Sequence, residues 1–246
     1  MICDSSKLAS TQLKPMSPLK LSNHAVIILA SGLSQRLGQA KQLLCKAGEP
    51  LICFMTKLAI STKPQAIIIV IPDNQPLIAS ALHKLAFQYP IIQIVVNPAP
   101  KTGMAYSLSL AIDAITQLTS LSIERVVIMG VDQVLLDEQH LMRLLAGKES
   151  VVASEYSSWQ MTDDRQLKQI ATPAQSMKNI MGLPLITDYT LLKNWQSLLS
   201  GDKGLRYLIR GLPRSQISTV FNNQLSYDID TPEQLAHAKQ RGWLDK

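Results

Sequence analysis

The stretch AVIILASGLSQRLGQAKQLL, residues 25–44, sets an unbroken apolar run against a small polar segment that carries two glycines, an arginine and a lysine. The run Ala25 to Ala30 reads as a strand buried on both faces, as strands in a parallel sheet covered by helices must be. Residues 31–41 then lie beyond the carboxyl end of a strand, where open α/β sheets bind their ligands. Gly32 and Gly38 are expected to admit backbone conformations that a side chain forbids, and to let amides approach a ligand closely. Oriented amides form an anion-binding concavity, and Arg36 and Lys41 add full positive charge. A polyphosphate uses all of these at once. The glycines are six apart and the lysine follows the second by three, so neither GxxxxGK[ST] nor GxGxxG is present. The same composition also suits an ordinary strand-to-helix connection with solvated charges.

Outward from this stretch, β-branched runs alternate with segments of helical period. Strands are predicted at 25–30, 66–71, 91–96 and 125–130, with helices at 50–60, 76–87, 104–118 and 137–146 between and after them. This β-α-β-α-β-α-β order predicts a Rossmann-like, doubly wound α/β fold, a mostly parallel sheet with helices on both faces. Beyond 150–156 the rhythm changes. Residues 157–180 are polar and lack a period, which points to a functional flap or a pair of weakly signalled short elements. Helices near 188–199 and 204–211 and a strand near 217–220 follow, and Thr231 is placed to cap a last helix with Pro232 at its first position. The domain is expected to span 23–246 as one unit, with 1–22 as a flexible extension. A chain of this length buries roughly 70–75% of the surface its unfolded form exposes, so it needs no disulfide or metal staple.

Composition excludes several classes. The net charge of +6 comes from 24 Lys and Arg against 18 Asp and Glu, a mild surplus with no basic run of the kind that marks a nucleic-acid arm. Aromatics are only 5%, too few for base-stacking platforms, so no nucleic-acid partner is expected. Cys3, Cys45 and Cys53 contain no CxxC, and His24, His83, His140 and His237 lie far apart; neither a disulfide framework nor a zinc site is indicated. A reducing, cytoplasmic setting fits these thiols. Residues 1–22 lack the apolar core of a secretory signal, and no run reaches about 18 apolar residues, so no membrane association is expected.

Two further segments carry acids to the ligand-binding edge. VVIMGVDQV delivers Asp132 directly after an apolar strand, and DID at 228–230 supplies Asp228 and Asp230. An Asp at a strand end is also a common turn or cap residue, and Asp230 precedes Pro232 where capping is equally natural. Of the 228 and 230 carboxylates, only one is expected to face the site. Mg²⁺ with a triphosphate reconciles the acids with the basic loop, because Mg²⁺ takes one or two carboxylates plus phosphate oxygens.

At this point a family resemblance enters. LASGLSQRLGQAKQLL resembles the LAAG-x-S-x-R-x-G…PKQLL signature of the MobA-like nucleotidyltransferases, and within them the molybdenum cofactor cytidylyltransferases. NPAPKTGMAYSLSLAI (97–112), GVDQV (130–134), GLPLI (182–186), LSGDKGLRYLIR (199–210) and DIDTPEQL (228–235) are similar to further segments of that family, in the same order. The resemblance implies the nucleotide-diphospho-sugar transferase type of fold and a Mg²⁺-dependent transfer of CMP from CTP to the terminal phosphate of molybdenum cofactor, with release of pyrophosphate.

It also implies roles. Leu29, Ala30, Ser31 and Gly32 line the nucleotide, with Arg36 on the departing pyrophosphate and Lys41 on the α-phosphate. Gly103, Met104 and Ser107 lie beside the base. Asp132 and Asp230 hold Mg²⁺, and Lys41, Arg36 and Asp132 carry the catalysis. Gly182, Pro184, Gly201, Asp202, Lys203 and Asp228 fall on the second-substrate side. A molybdoenzyme or its maturation chaperone is the implied receiving partner. The chain departs from the family at Leu33, where an arginine is usual, and at Val131 and Val134, which replace a glycine and a proline beside the metal-binding acid. Residues 157–180 also exceed the usual connection. Two other readings share these features: a GTP-using guanylyltransferase, whose opening is usually LAGG, and a non-catalytic relative that binds nucleotide or cofactor as carrier or regulator.

Overall fold

The computed structural model describes residues 22–157, 179–201 and 204–246. At its centre β1 (His24–Leu29) pairs in parallel with β4 (Ala66–Pro72) on one side and β6 (Arg125–Gly130) on the other. Next to β4 lies β5 (Ile92–Asn97). Beyond β6 come β8 (Asn179–Asp188), β7 (Val151–Ser157) and β9 (Ile217–Phe221), giving one seven-stranded sheet in the order β5-β4-β1-β6-β8-β7-β9. Only β8 runs antiparallel to its neighbours. A two-stranded hairpin, β2 (Cys45–Lys46) and β3 (Glu49–Pro50), stands apart.

The two-faced burial read from the apolar runs is what builds the layers. In β1, Val26 and Ile28 enter one core while Ala25 and Ile27 enter the other, and β4 and β6 divide in the same way. The first core is covered by α1 (Leu51–Ser61), α2 (Pro76–Gln88), α4 (Glu138–Ala146) and α7 (Pro232–Gln240). The second is covered by α3 (Met104–Gln117), α5 (Tyr189–Trp195) and α6 (Gly204–Arg210). Ile27, Ile28, Ile67, Ile68 and Ile69 are fully buried, and each such side chain contributes about 1.5–3 kcal/mol relative to exposure. The doubly wound, mostly parallel α/β fold is therefore as expected.

Strand order reverses between β1 and β6, so the loops that leave these two strands flank the crevice used by ligands in such sheets. The predicted elements fall within a residue or two of those observed. The helix expected at 188–199 resolves into α5 and a separate 3₁₀ turn, Gln196–Leu198. The short hairpin and the ten-residue strand β8 are additions to the sequence reading. In β8, Ala153 pairs with Leu185 but Ser154 pairs with Gly182, so Leu183 and Pro184 form a bulge. Proline has no N–H for the ladder and sits where none is required. The bulge is pinned from two sides: the Ser154 hydroxyl donates to the Pro184 carbonyl (2.6 Å), and the Gln133 side-chain amide donates to the Leu183 carbonyl. Pairing between β6 and β8 stops at Leu185, and the sheet opens there.

Of the segments singled out in the sequence, the extension (1–21), most of 157–180 (158–178), Asp202 and Lys203 lie outside the described residues. No helix among the described residues is long and apolar enough to cross a membrane.

Candidate active site

The loop after β1 is shaped by its own hydrogen bonds. Leu37 and Gly38 amides both donate to the Ser34 carbonyl (3.1 Å each), and Gly38 takes φ +74°, which favours glycine. Gly32 has no such φ, so the expectation of backbone relief holds at Gly38 alone; a Cβ on Gly32 meets no atom of the described residues within 4 Å, its chain neighbours aside. Buried Gln42 ties the loop down, its amide donating to the carbonyls of Ala30 (2.6 Å) and Gly32 (2.8 Å). A second tie runs sideways. Ser31 Oγ lies 2.6 Å from Ser107 Oγ on α3, and Asn97 at the end of β5 donates to that same hydroxyl (2.9 Å). Gly103, at φ +98°, turns the chain into α3 and leaves Met104 at its exposed first turn. Gln42 and Asn97 escaped the sequence reading because only the folded contacts give them a task.

Four charges meet beneath this loop. Lys41 Nζ donates to Asp132 Oδ2 (2.9 Å) and to Asp230 Oδ1 (2.8 Å), and Arg36 donates to Asp230 Oδ2 (2.7 Å). Residues 36, 41, 132 and 230 thus form one cluster. Lys41 is buried, whereas the Arg36 side chain is 74% exposed; an exposed pair of that kind contributes about 0–1 kcal/mol and leaves the guanidinium free to move. Burial pulls the Lys41 ammonium down, but the two carboxylates outweigh it and its pKa ends above the ordinary lysine value. Asp230 shows the mirror image: burial raises it, yet Lys41 and Arg36 hold it below the usual carboxylate range.

Gly130 makes room for Asp132. A Cβ at 130 would stand 2.7 Å from Asp132 Oδ1. Val131 and Val134, suspect for their bulk, are both buried in the first core. Leu33 is half-buried beside the loop and outside either core.

The reading of DID needs correction. In extended chain residues i and i+2 share a face; Ile229 is fully buried, while Asp230 meets Lys41 and Asp228 lines a cavity with Asp132. Both carboxylates face the cleft. Crowding by protein, then the like charges of Asp132 and Asp230, push the Asp228 pKa up to about 7 against the pull of Lys41. Because Asp228 keeps an exposed edge, repulsion from the two neighbouring acids is the firmer cause. Asp230 is fixed by a helix cap: its amide and that of Thr231 both donate to Gln234 Oε1 (2.8 and 3.0 Å), while the Gln234 amide donates to Thr231 Oγ1 (3.3 Å).

Beside the cluster a cavity of about 340 Å³ opens where β8 leaves β6. Leu29, Met104 and Gly182 lie on its wall. Gly182 acts through a neighbour: a Cβ there would fall 2.2 Å from the Tyr156 hydroxyl, so glycine lets the tyrosine ring lie across the strand. Pro184 supplies the bulge. Gly201, at φ +55°, accepts the Ala105 amide at its carbonyl (3.2 Å), which ties the turn before α6 to the start of α3. Among the described residues no group of three or more His, Cys, Asp or Glu side chains could hold a metal on its own.

A mostly parallel sheet with its crevice at β1 and β6, a basic loop on one lip and carboxylates on the other, suits a phosphate-bearing ligand. The family model for the MobA-like NTP transferase domain matches residues 26–218, and the chain belongs to that family. It is a nucleotidyltransferase of the MobA-like kind. No curated protein sequence matches it. Among solved structures, a nucleotidyl transferase from Methanothermobacter thermautotrophicus is similar with TM-score 0.67 and 16% identity, covering 89% of this chain and 97% of the other. Rv0371c from Mycobacterium tuberculosis H37Rv aligns with TM-score 0.63 and 18% identity over 89% and 99%, and has also been solved as a complex with manganese. The inositol-1-phosphate CTP transferase of T. maritima aligns with TM-score 0.62 and 13% identity over 90% and 95%. At such identities the likeness is one of fold.

Proposed function

We propose that this protein transfers CMP from CTP to the terminal phosphate of molybdenum cofactor, releasing pyrophosphate. The observation that carries the reading is the gathering of Asp132 and Asp230 on Lys41, directly under a glycine-bearing loop that also presents Arg36. An acceptor phosphate oxygen forms a bond to the α-phosphorus, the bond from that phosphorus to the bridging oxygen breaks, and pyrophosphate leaves with the electron pair. Such chemistry asks for charge placed ahead of time and no covalent nucleophile.

The amides of Ser31 and Gly32 take the β- and γ-phosphates, and the open space over Gly32 is where a ligand can come closest. Exposed Arg36 turns from Asp230 to the leaving pyrophosphate. Lys41 serves the α-phosphate, where charge builds on the equatorial oxygens. Leu29, Ala30, Gly103, Met104 and Ser107 frame the base. Gly182, Pro184, Gly201, Asp202, Lys203 and Asp228 form the acceptor side, from which a molybdoenzyme or its chaperone collects the product in the cytoplasm.

Two carboxylates already converging on one cation are a donor set that fits Mg²⁺, which completes its shell with phosphate oxygens and water. Asp132 and Asp230 are the residues to hold it. When bound, the ion neutralises charge on the triphosphate. The manganese complex of Rv0371c and the CTP use of the T. maritima enzyme are properties of those proteins that favour a divalent ion and CTP here.

The test is pyrophosphate release by purified protein with Mg²⁺ and molybdenum cofactor, with CTP, GTP and ATP in separate reactions. Release with CTP that depends on the cofactor is the expected result. Release with GTP alone makes the protein a guanylyltransferase. Tight nucleotide binding with no release under any metal makes it a carrier or regulator, a reading that Leu33 favours by removing one positive partner of the triphosphate.

A further inference from the structure

The hairpin of β2 and β3 makes no ladder with the main sheet, yet it follows directly on the short 3₁₀ turn, Lys41–Leu43, that begins with the lysine of the cleft. Its own turn is strained: Ala47 and Gly48 take φ +53° and +79°, a conformation that disfavours alanine. Asp245 holds that turn from outside. Its carboxylate accepts the amides of Ala47 (3.1 Å) and Gly48 (2.8 Å), and its own amide donates to the Cys45 carbonyl (2.9 Å). Leu244, buried in the first core, anchors the segment that delivers Asp245.

The hairpin in turn reaches the cleft through Lys46. The Lys46 ammonium donates to the Val134 carbonyl and lies 4.4 Å from the centre of the Phe54 ring. Among the described residues it forms no ion pair, and burial pulls its pKa below the ordinary lysine value. A lysine that serves solubility reaches water, and one that serves an ion pair reaches an acid. This one is given to a backbone carbonyl in the turn that carries Asp132. The Val134 amide donates to the Asp132 carbonyl (3.0 Å) and the Leu136 amide to that of Gln133 (2.9 Å), so residues 132–136 form one tight unit.

The contacts close a ring. From Lys41 the chain leads to Lys46, Lys46 bonds the turn of Asp132, and Asp132 returns to Lys41 (2.9 Å). A second ring shares the hairpin: Lys41 meets Asp230 (2.8 Å), α7 runs from just beyond Asp230 toward Asp245, and Asp245 grips the turn. We infer that Lys46 is a positioning residue for the transfer site, setting Asp132 against Lys41, and that Asp245 sets Lys46 in turn. The inference rests on the nucleotidyl-transfer reading, which gives the acids and the lysine their purpose. Charge placed ahead of a reaction lowers its barrier only where the surrounding contacts hold it in register.

The experiment compares full-length wild type with Lys46→Met, which keeps the stem over Phe54 and removes the donor, with Lys46→Arg, and with Asp245→Ala. Lysine side-chain ammonium groups are followed by heteronuclear NMR in nucleotide-free protein, with Lys41→Met assigning the Lys41 signal. Lys46→Met and Asp245→Ala should each shift that signal, and Lys46→Arg, which can still donate to the carbonyl, should return it toward wild type. In pyrophosphate release each loss should lower kcat about tenfold, part of the roughly hundredfold that a misplacement of about 1 Å costs, with KM for CTP unchanged. The double variant should lose no more than the worse single one, since both act along one path. Circular dichroism like that of wild type shows that the variants fold. A Lys41 signal that stays in place in both Lys46→Met and Asp245→Ala, or kcat losses that multiply in the double variant, overturns the assignment. Wild-type protein that releases no pyrophosphate while the Lys41 signal still moves ends the transfer reading and leaves the placement of Asp132 by Lys46 standing.

Discussion

In the cleft under the β1 loop, Lys41, Arg36, Asp132 and Asp230 are paired with one another; in the cavity next to it, Arg206 faces apolar walls with no ion pair among the described residues. Asp132 belongs to both. A ligand entering the cleft must therefore replace existing ion pairs, so its binding is an exchange among strong contacts. A ligand entering the cavity meets an apolar wall edged by Arg206, Asp228, Gln133 and Tyr156. On the proposed reading, the first region serves transfer chemistry and the second acceptor choice.

The division breaks if a cleft mutation acts mainly on acceptor affinity, or a cavity mutation on kcat. The largest effect is expected for Asp132→Asn: kcat for pyrophosphate release falls about 10²–10³-fold, the cost of removing one well-placed electrostatic contact, while CTP binding by calorimetry changes little. Lys41→Met should lower kcat about a hundredfold. Unlike Asp132→Asn, it removes the ammonium that competes for Asp132 and Asp230, so Mn²⁺ binding to nucleotide-free protein, read by electron paramagnetic resonance, should tighten.

Gly182→Ala sharpens the other side. The new methyl must displace the Tyr156 hydroxyl, an overpacking cost of about 1–3 kcal/mol visible in thermal melts. KM for the acceptor should rise with KM for CTP unchanged, and adding Tyr156→Phe should restore part of the stability. The smallest effect is expected for Asp228→Asn, because the residue is exposed and solvent screens most of its charge interactions. With a folded pKa of about 7 against about 3.9 unfolded, the folded chain keeps a proton that the unfolded chain has already released. Wild-type stability therefore falls as pH rises from about 4 to 7 and is flat above. Asp228→Asn should melt slightly higher than wild type at pH 8, and the gap should close toward pH 4.

The central strands were legible because Ala25–Ala30, Ala66–Ile71 and Arg125–Gly130 are apolar on both faces, a pattern few other elements share. Strand β8 was not, since Gly182 and Pro184 both argue against a strand and only the bulge reconciles them with one. The charged cleft could be found from loops and strand ends, although residues 36 and 230 are far apart in sequence. Gln42, Asn97, Gly130 and Tyr156 could not, because each works through a neighbour that only folding brings near. DID was misjudged on which face its two acids share, and the buried Ile229 between them is the residue that shows it.

Asp230 sits on the threshold of α7, and its amide shares an acceptor with the helix cap. The acid that greets Lys41 and the first turn of that helix consequently form or dissolve together. A helix of nine residues is marginal by itself and depends on Leu235, Ala238 and the edge-on packing of Tyr227 with Trp243 for its hold on the sheet. Fraying of α7 disarms the cleft while the seven strands remain paired. Warming should therefore silence the protein before it melts, giving catalysis a thermal ceiling lower than that of the fold which carries it.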